Sequence, residues 1–551
     1  MGKLTNRNCT VRQRCRDPIS WLVLLATLSL FPVYAQTLTE SHLPLFIIDT
    51  DGQAIPDEPK IMAHLGVIDN GPGAINHVND PYNGYDGWIG IEKRGSSSQY
   101  YYPKKQYAME TREADGSNRN VSLLGMPEEN DWILHAPYSD KTLIRNALTY
   151  TLARKMGWYA TRVRFCEVIL NEEYMGVYIL MEKIKRDGDR VDIARLDPDE
   201  TSGDDLTGGY ILKVDKWDGS NNEGWQSEPP GYAPFRYQYH YPDPEDIVPE
   251  QREYIQDWIG NFESILLTDS YTDPQVGYPS LMNLPSVIDH AIIQEISGNV
   301  DAYRLSLFMY KDKDSNDPRL TMGPIWDFNI AWGNCDFYGG GWIQGWRYTF
   351  DVEWDQWQIP FWWVRIWEDP AFQSAFTQRY FSLRESLLSE TSLQGLRDSL
   401  ISEIGEDARI RNFQRWPMLD EYVWPNNFIG YTYEAEVGYL AAWTTGRLEW
   451  LDEQMVGVDF PTRPERFHVG QPFPNPFNAS VTISYHLKQA GYAEVTVFNV
   501  QGQTISRLRS GYQRPGFHET QWLPQSVPSG LYLIRVQTGR EHATRKVVLL
   551  P

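Results

Sequence analysis

The feature that most constrains the fold is the segment 299–334, which places one aspartate before a predicted hairpin and another after it. Apolar residues at 305–310 predict a strand, polar residues at 311–318 predict a turn, and a second strand then returns. Asp301 precedes the first strand and Asp327 follows the second. Because a hairpin brings its two ends together, we expect both carboxylates to face one pocket.

Two acids in this arrangement suit metal-assisted phosphoryl transfer. Asp301 would orient an attacking hydroxyl, and Asp327 would hold the Mg²⁺ that neutralises charge on the phosphates of a nucleotide. The amide of Asn329 lies two positions further on and is a second metal ligand in this hypothesis. Two ordinary turn acids are the alternative, and the spacing alone favours that alternative, because aspartate closes turns in any fold.

Motifs over residues 43–455 resemble the CotH family, the spore-coat-protein-H-type atypical protein kinases. They occur in the same order as in the family, namely IEKRGSSSQYYYPKKQYAMETR, LLGMPEENDWILHAPYSDKTLIRNALTYTLARKMG, NEEYMGVYILMEKIKRDGDRVDI, NVDAYRLSLFMYKD and GPIWDFNIAWGN. The resemblance implies an α+β fold with an atypical protein-kinase-like two-lobed domain. It also implies transfer of the ATP γ-phosphoryl group to hydroxyls of a protein, with Mg²⁺ or Mn²⁺; the sequence does not identify that protein. This chain has Asn329 where many members have a second aspartate, and Ser306 where they have asparagine.

The same resemblance implies which residues contact the nucleotide. It makes Lys104 or Lys105 the phosphate-contacting lysine, and both stay open because neighbouring residues on a strand point to opposite faces. It also places Glu182 and Lys183 in the nucleotide cleft. The segment 95–98 offers backbone N–H groups and hydroxyls to a phosphate, with a solvated loop as the alternative.

Apolar residues at helical spacing predict a helix over 141–156, with an N-cap at Ser139 or Asp140 and an end at Gly157. It contains no glutamate, so the lysine–glutamate ion pair of ordinary kinases cannot be drawn from this helix. The Gly- and Pro-rich segment 215–241 predicts an exposed loop. The same periodicity predicts further helices at 249–267, 284–297, 370–389, 392–410 and 433–453.

Residues 1–35 predict a secretory signal peptide. Basic residues precede the apolar run 19–35, which closes on the small-residue cleavage pattern Val33-Tyr34-Ala35. A membrane anchor is the alternative, but the run is short for a spanning helix and contains Pro32. We therefore expect export through the periplasm, with no transmembrane segment after signal removal.

Charge divides the remaining chain into two parts. The whole chain carries a net charge of −23, yet from residue 461 onward ten Lys or Arg face only four Glu. The change falls at the Pro-rich linker 458–471, which predicts a boundary between a domain at 36–457 and a second domain at 472–551. The acidic balance argues against nucleic-acid binding through a basic face.

Residues 472–551 predict a small all-β immunoglobulin-like sandwich. FPNPFN, VPSGLYLIRV and RKVVLL resemble the carboxy-terminal sorting domain of the type IX secretion system. The resemblance implies that the secretion machinery is a partner and that the protein is secreted or on the cell surface; a generic immunoglobulin-like binding module is the alternative. Alternating apolar and polar residues predict strands at 481–487, 493–500, 518–523, 530–538 and 543–550.

A second function stays open from the sequence, namely a non-catalytic kinase-like surface protein that binds glycans or protein partners. Seven tryptophans between residues 339 and 367 could stack on sugars, or they could serve as core anchors. The chain without its signal keeps two cysteines, Cys166 and Cys335. Two cysteines give no disulfide framework, and we predict free thiols.

Overall fold

A computed structural model describes residues 38–217, 223–352 and 355–455 and, in the carboxy-terminal part, most of 467–550. The predicted signal peptide and most of the predicted linker lie outside the described residues. Among the described residues, none of the helices combines the length and the apolar composition that a membrane span requires. Within 467–550, the positions not described are 471, 473–474, 479, 488, 515, 525–526 and 540.

Seven of the first nine strands close into a barrel in the order β2-β3-β5-β6-β7-β9-β8, and all neighbours are antiparallel except the parallel pair β2 and β8. Side chains on β6 alternate between buried and partly exposed, as expected for a strand with one face on a core. The strands are β1 (Glu40–Ser41), β2 (Leu45–Asp49), β3 (Ile61–Ile68), β4 (Asn76–His77), β5 (Tyr85–Arg94), β6 (Gln106–Arg112), β7 (Asp131–His135), β8 (Val163–Leu170) and β9 (Glu173–Glu182).

Two helices accompany the barrel, the short α1 (Ser97–Tyr101) and α2 (Arg145–Met156). The sequence predicted that α2 begins near residue 141, but the structure starts it at Arg145. The cause is local: Leu143 adopts a left-handed conformation with φ of 65°, and the carboxylate of Asp140 accepts the backbone N–H of Arg145 at 2.7 Å. The predicted end is confirmed, because Gly157 takes φ of 103° at the C-cap.

A five-stranded sheet in the order β11-β12-β10-β13-β14 follows, and it contains the predicted hairpin as β13 and β14. The prediction that 215–241 is an exposed loop is wrong for much of that segment. Two strands form there because their aromatic side chains are buried, including Phe235, Tyr237 and Tyr239. The strands are β10 (Tyr210–Val214), β11 (Gly224–Ser227), β12 (Phe235–Tyr241), β13 (Leu307–Lys311) and β14 (Leu320–Met322).

The predicted helices at 249–267 and 284–297 are confirmed as α4 and α6, whereas the one at 392–410 divides into α9 and α10. The division falls at Gly405, where φ is 71° and the α-helix cannot continue. The helices after α2 are α3 (Gly203–Leu206), α4 (Pro249–Leu266), α5 (Tyr278–Leu281), α6 (Leu284–Ser297), α7 (Phe361–Trp367), α8 (Pro370–Arg384), α9 (Glu390–Ile404), α10 (Glu406–Arg415) and α11 (Tyr433–Met455).

The main apolar core lies among these helices. Trp346, Trp362, Trp363 and Trp367 are buried there, so these tryptophans of the 339–367 cluster serve as core anchors. Both cysteines are buried free thiols, which confirms the prediction for Cys166 and Cys335.

The carboxy-terminal part is all-β. It has a three-stranded sheet, β15-β16-β19, and a four-stranded sheet, β18-β17-β20-β21, and apolar residues from both form one core. All five predicted strands are present. The sequence missed β15, a two-residue strand within the predicted linker that pairs with β16, and β18, an edge strand whose side chains are mostly exposed. The strands are β15 (His468–Val469), β16 (Val481–Leu487), β17 (Gly491–Asn499), β18 (Thr504–Gln513), β19 (Gly516–Trp522), β20 (Gly530–Thr538) and β21 (Glu541–Leu549).

Candidate functional site

The carboxylate of Asp327 lies within electrostatic reach of two other carboxylates, those of Asp301 and Asp215. Burial, and then the negative charges of Asp301 and Asp215, raises the pKa of Asp327 to about 6, while Lys216 and Arg94 oppose the rise. Asp327 is nevertheless exposed to solvent. Asp327 therefore lies where protein atoms surround a carboxylate that solvent still reaches, a place that we call the cleft. Like charges gathered there attract a cation.

The backbone at Asp327 is held in an uncommon conformation. Its φ is 62°, in the left-handed region that residues other than glycine seldom adopt. Two hydrogen bonds to side chains of α2 fix this backbone conformation. The N–H of Asp327 donates to the hydroxyl of Tyr150 at 3.1 Å, and the N–H of Phe328 donates to Oδ1 of Asn146 at 2.7 Å. The helix therefore sets the direction of the Asp327 side chain.

Arg94, at the end of β5, brings a positive charge to this cleft. Its guanidinium lies 5.1 Å from the ring centroid of Trp326, and that ring stacks on Tyr150 at 5.9 Å. Burial lowers the pKa of Arg94, and the negative charge of Asp327 partly restores it. Arg94 is thus positioned to meet an anionic ligand near Asp327.

Asp301 is held by its neighbour Arg304. Nη2 of Arg304 donates to Oδ1 of Asp301 at 3.2 Å, and Nη1 donates to Asp355 at 3.1 Å. Arg304 is buried beneath the rings of Tyr338 and Phe350, so it cannot swing away. One oxygen of Asp301 is therefore anchored, and the carboxylate has a fixed orientation.

Asn329 is oriented by Ser139 from the segment before α2. Its Nδ2 donates to Oγ of Ser139 at 3.4 Å, which turns Oδ1 to the other side. Asn334 supports the same turn, because its Nδ2 donates to the carbonyl of Asn329 at 2.8 Å. The amide oxygen of Asn329 is the atom this arrangement leaves for a ligand.

The two candidate lysines differ in their surroundings. Lys104 is 1% exposed, and its Nζ donates to the carbonyl of Val177 and to Oδ1 of Asn412 at 2.9 Å. Burial lowers the pKa of Lys104 to about 7. Lys105 is partly exposed, and its Nζ donates to the carbonyls of Gln99 and Tyr102, both at 2.6 Å. An ammonium that is enclosed by protein cannot reach a bound phosphate, so only Lys105 is kept in the candidate site.

Glu182 and Lys183 lie at the end of β9. The carboxylate of Glu182 is buried and accepts two hydrogen bonds from Arg162, one from the guanidinium at 2.6 Å and one from the backbone N–H of Arg162 at 2.9 Å. Lys183 pairs with Asp131 at 3.5 Å, with 45% of its side chain exposed. Glu182 is therefore committed to a buried ion pair, whereas Lys183 keeps access to solvent.

The donor set fits a divalent metal that is shared with a ligand. Among the described residues, no group of three or more His, Cys, Asp or Glu is arranged to hold a metal by itself. Mg²⁺ in nucleotide sites is bound through one or two carboxylates, with phosphate oxygens and water completing its shell. The carboxylate of Asp327 and the amide oxygen of Asn329 match that partial shell.

Sequence reasoning missed Asp215, Arg94 and Tyr150. Asp215 follows β10, and its Oδ1 accepts the backbone N–H of Lys216 at 2.9 Å. Burial raises its pKa. The available signal was an acid directly after an apolar strand, the same pattern that identified Asp327. Tyr150 lay within the apolar stripe of α2 and gave no separate signal.

Comparison with known families adds an independent finding. The model of the family described as CotH kinase protein matches residues 91–451, well over half of the chain. The model described as secretion system C-terminal sorting domain matches residues 471–550. No curated protein matches the chain.

Proposed function

Since the chain belongs to the CotH kinase protein family and carries a secretion-system sorting domain, we propose that it is a secreted or surface protein kinase. In this proposal it transfers the γ-phosphoryl group of ATP to protein hydroxyls with Mg²⁺ or Mn²⁺. The observation that carries the proposal is the solvent-exposed carboxylate of Asp327, whose backbone is held by hydrogen bonds to α2 and which lies close enough to Asp301 and Asp215 for their charges to raise its pKa. We further propose that the barrel is the nucleotide-binding lobe of a two-lobed kinase-like domain, and that the tail is an immunoglobulin-like sandwich.

Asp301 is the proposed base. Arg304 holds its Oδ1, and Oδ2 accepts no hydrogen bond within the part of the chain that the structure describes. Oδ2 therefore orients the acceptor hydroxyl and takes its proton as the oxygen attacks the γ-phosphorus. Arg304 acts as a positioning residue, because it prevents the carboxylate from rotating.

Asp327 and Asn329 are the proposed metal ligands, through a carboxylate oxygen and the amide Oδ1. When bound, the metal neutralises charge on the phosphate oxygens and lowers the barrier to transfer. Arg94 and Lys105 are proposed to bind the phosphates from the barrel side, and Lys183 to contact the nucleotide. The strained backbone at Asp327 keeps its carboxylate aimed into the cleft before ligand arrives.

Phosphate transfer from labelled ATP, measured on the purified mature chain with Mg²⁺ or Mn²⁺ and a mixture of protein acceptors, tests the proposal. Asp327→Asn and Asp301→Asn should abolish transfer, and Asp246→Asn, an exposed acid before α4, should leave it intact. Transfer that survives in both site variants would exclude the assigned residues. Absence of transfer and of metal-dependent ATP binding in the parent would exclude the function.

We also propose that export proceeds through the periplasm and that the tail is read by the secretion machinery. Sorting domains act as addresses, so the tail contributes no group to the cleft in this proposal. Its own apolar core supports independent folding.

A second candidate function is favoured by a row of aromatic rings beside the cleft. Tyr101 packs on Trp424 at 4.5 Å and Trp424 on Phe337 at 5.9 Å, while Tyr100 is 85% exposed. Such rings can stack on sugars. Calorimetric titration with soluble oligosaccharides tests this function: binding that is lost in Tyr101→Ala but kept in Asp327→Asn would support surface binding without catalysis.

A further inference from the structure

A continuous chain of side-chain hydrogen bonds joins the loop after β5 to the backbone beside Asp327. Ser98 Oγ is 3.0 Å from Gln106 Nε2, and Gln106 Oε1 is 2.8 Å from His135 Nδ1. His135 Nε2 is 3.3 Å from Asn146 Nδ2, and Asn146 Oδ1 is 2.7 Å from the backbone nitrogen of Phe328. His135 and Asn146 are both buried, so water does not compete for these bonds.

The direction of every bond in this chain follows from its last member. The backbone N–H of Phe328 can only donate, so the atom of Asn146 that faces it is the oxygen and Nδ2 faces His135. Nδ2 is itself only a donor, so Nε2 of His135 must accept and its proton must sit on Nδ1. That N–H then donates to Oε1 of Gln106, whose Nε2 donates to Ser98. One arrangement of protons satisfies all four contacts.

We infer that His135 is a positioning residue that locks Asn146, and through it the backbone of Asp327 and Phe328, to the serine-containing segment 95–101. The inference rests on the proposed function, because both ends of the chain lie in the proposed phosphate and metal site. Both ends need such support. Asp327 holds a left-handed backbone conformation, and Ser98 lies in α1, a helix of only five residues.

A histidine suits this position because a neutral imidazole carries one donor and one acceptor on opposite edges of a rigid ring. Burial lowers the pKa of His135 to about 4, which keeps the ring neutral near neutral pH. Phenylalanine has a ring of similar size and neither polar atom. It would leave Asn146 Nδ2 without its acceptor and free the amide to rotate away from Phe328.

The first test needs no ATP, and it uses a variant only to assign signals. With selectively ¹⁵N-labelled histidine in the purified mature chain, the ring nitrogens of His135 should show the Nδ1–H tautomer. His135→Asn can assign its signals by their disappearance. An Nε2–H tautomer, or a charged ring near neutral pH, would overturn the inference.

The second test is hydrogen exchange without nucleotide. His135→Phe should speed exchange of peptides covering 326–330 by about tenfold, because the amide of Phe328 loses a fixed acceptor. His290→Phe is the matched control, since His290 is another buried histidine and lies outside this chain of bonds. His135→Gln keeps an oxygen that can accept from Asn146 and should restore protection at 326–330.

Unchanged exchange at 326–330 in His135→Phe would refute the inference, as would a rise spread evenly over the whole domain. If His135→Phe fails to fold, the tautomer of His135 in the parent decides: an Nδ1–H ring supports the inference and an Nε2–H ring refutes it. With ATP, His135→Phe should raise KM for metal–ATP about tenfold and leave kcat nearly unchanged. If the parent transfers no phosphate, the proposed function fails, but the tautomer and exchange results still decide the role of His135.

Discussion

Replacing Asp327 with asparagine should stabilise the metal-free protein. Burial and the neighbouring carboxylates raise the pKa of Asp327 from 3.8 to about 6. This pKa difference means that ionising Asp327 costs about 3 kcal/mol more in the folded protein than in the unfolded chain. Because solvent reaches the carboxylate, screening reduces the expected effect to roughly 1 kcal/mol.

The sign follows from proton binding. Between pH 3.8 and about pH 6 the native state holds this proton more tightly than the unfolded chain, so stability falls as the pH rises through that window. Above about pH 6, this group causes no further loss of stability. The advantage of Asp327→Asn should therefore be largest at neutral pH and shrink toward pH 4.

Adding metal and nucleotide should make the parent more stable than Asp327→Asn. A ligand that binds only the folded parent, at about 100 times its Kd, adds about 2.7 kcal/mol to the parent's stability. Asp327→Asn should gain little, because a neutral amide holds the metal far less strongly. The same substitution is thus stabilising without ligand and relatively destabilising with it.

Thermal unfolding in EDTA and in Mg²⁺ with ATP measures both effects. A domain of about 400 residues moves its midpoint by about 1 °C per kcal/mol, so the expected shifts are about +1 °C for the variant in EDTA and about +3 °C for the parent on adding ligand. Asp246→Asn controls for loss of an exposed acid. A variant that is less stable than the parent in EDTA, or that keeps the full ligand-induced rise, would refute the reasoning.

Four further predictions concern other parts of the chain. Asp301→Asn should keep the thermal rise with Mg²⁺ and ATP and lose phosphate transfer; a variant that loses both would move Asp301 among the metal ligands. Arg447→Met should lower stability by about 3–5 kcal/mol in thermal unfolding, because it removes the ion-pair partner at 3.0 Å of the fully buried Glu295; a loss below about 1 kcal/mol would contradict this. Since burial lowers the pKa of Lys104 from 10.5 to about 7, the parent should gain stability as the pH rises from 7 to 10, and Lys104→Met should lack that gain; parallel pH profiles would show that Lys104 is not responsible. Removing residues 467–551 should leave ATP binding intact and stop delivery to the cell surface; normal surface delivery of the truncated chain in cell fractionation would reassign the tail.

Local sequence patterns were enough to predict the elements that position Asp301 and Asp327. The hairpin of β13 and β14, the end of α2 at Gly157 and five strands of the tail were all predicted, because each depends on side-chain alternation or on one turn residue. Strand β18 was missed for the opposite reason. It pairs at a sheet edge with few buried side chains, so its sequence carries little apolar alternation.

What the sequence by itself determined is the family, the presence of a sorting domain and the existence of two acids at the ends of one hairpin. Only the tertiary structure decided which other groups act on them, directly or through another side chain. Arg94, His135, Tyr150 and Asp215 come from separate strands and a helix, and no periodicity links positions so far apart. Burial likewise distinguished Lys104 from Lys105. Sequence alone offered no reason to prefer either of two adjacent lysines, but the structure buries Lys104 and leaves Lys105 partly exposed. A chemical group is recognisable from its residue type, but its neighbours are set by packing, which is a property of the whole chain.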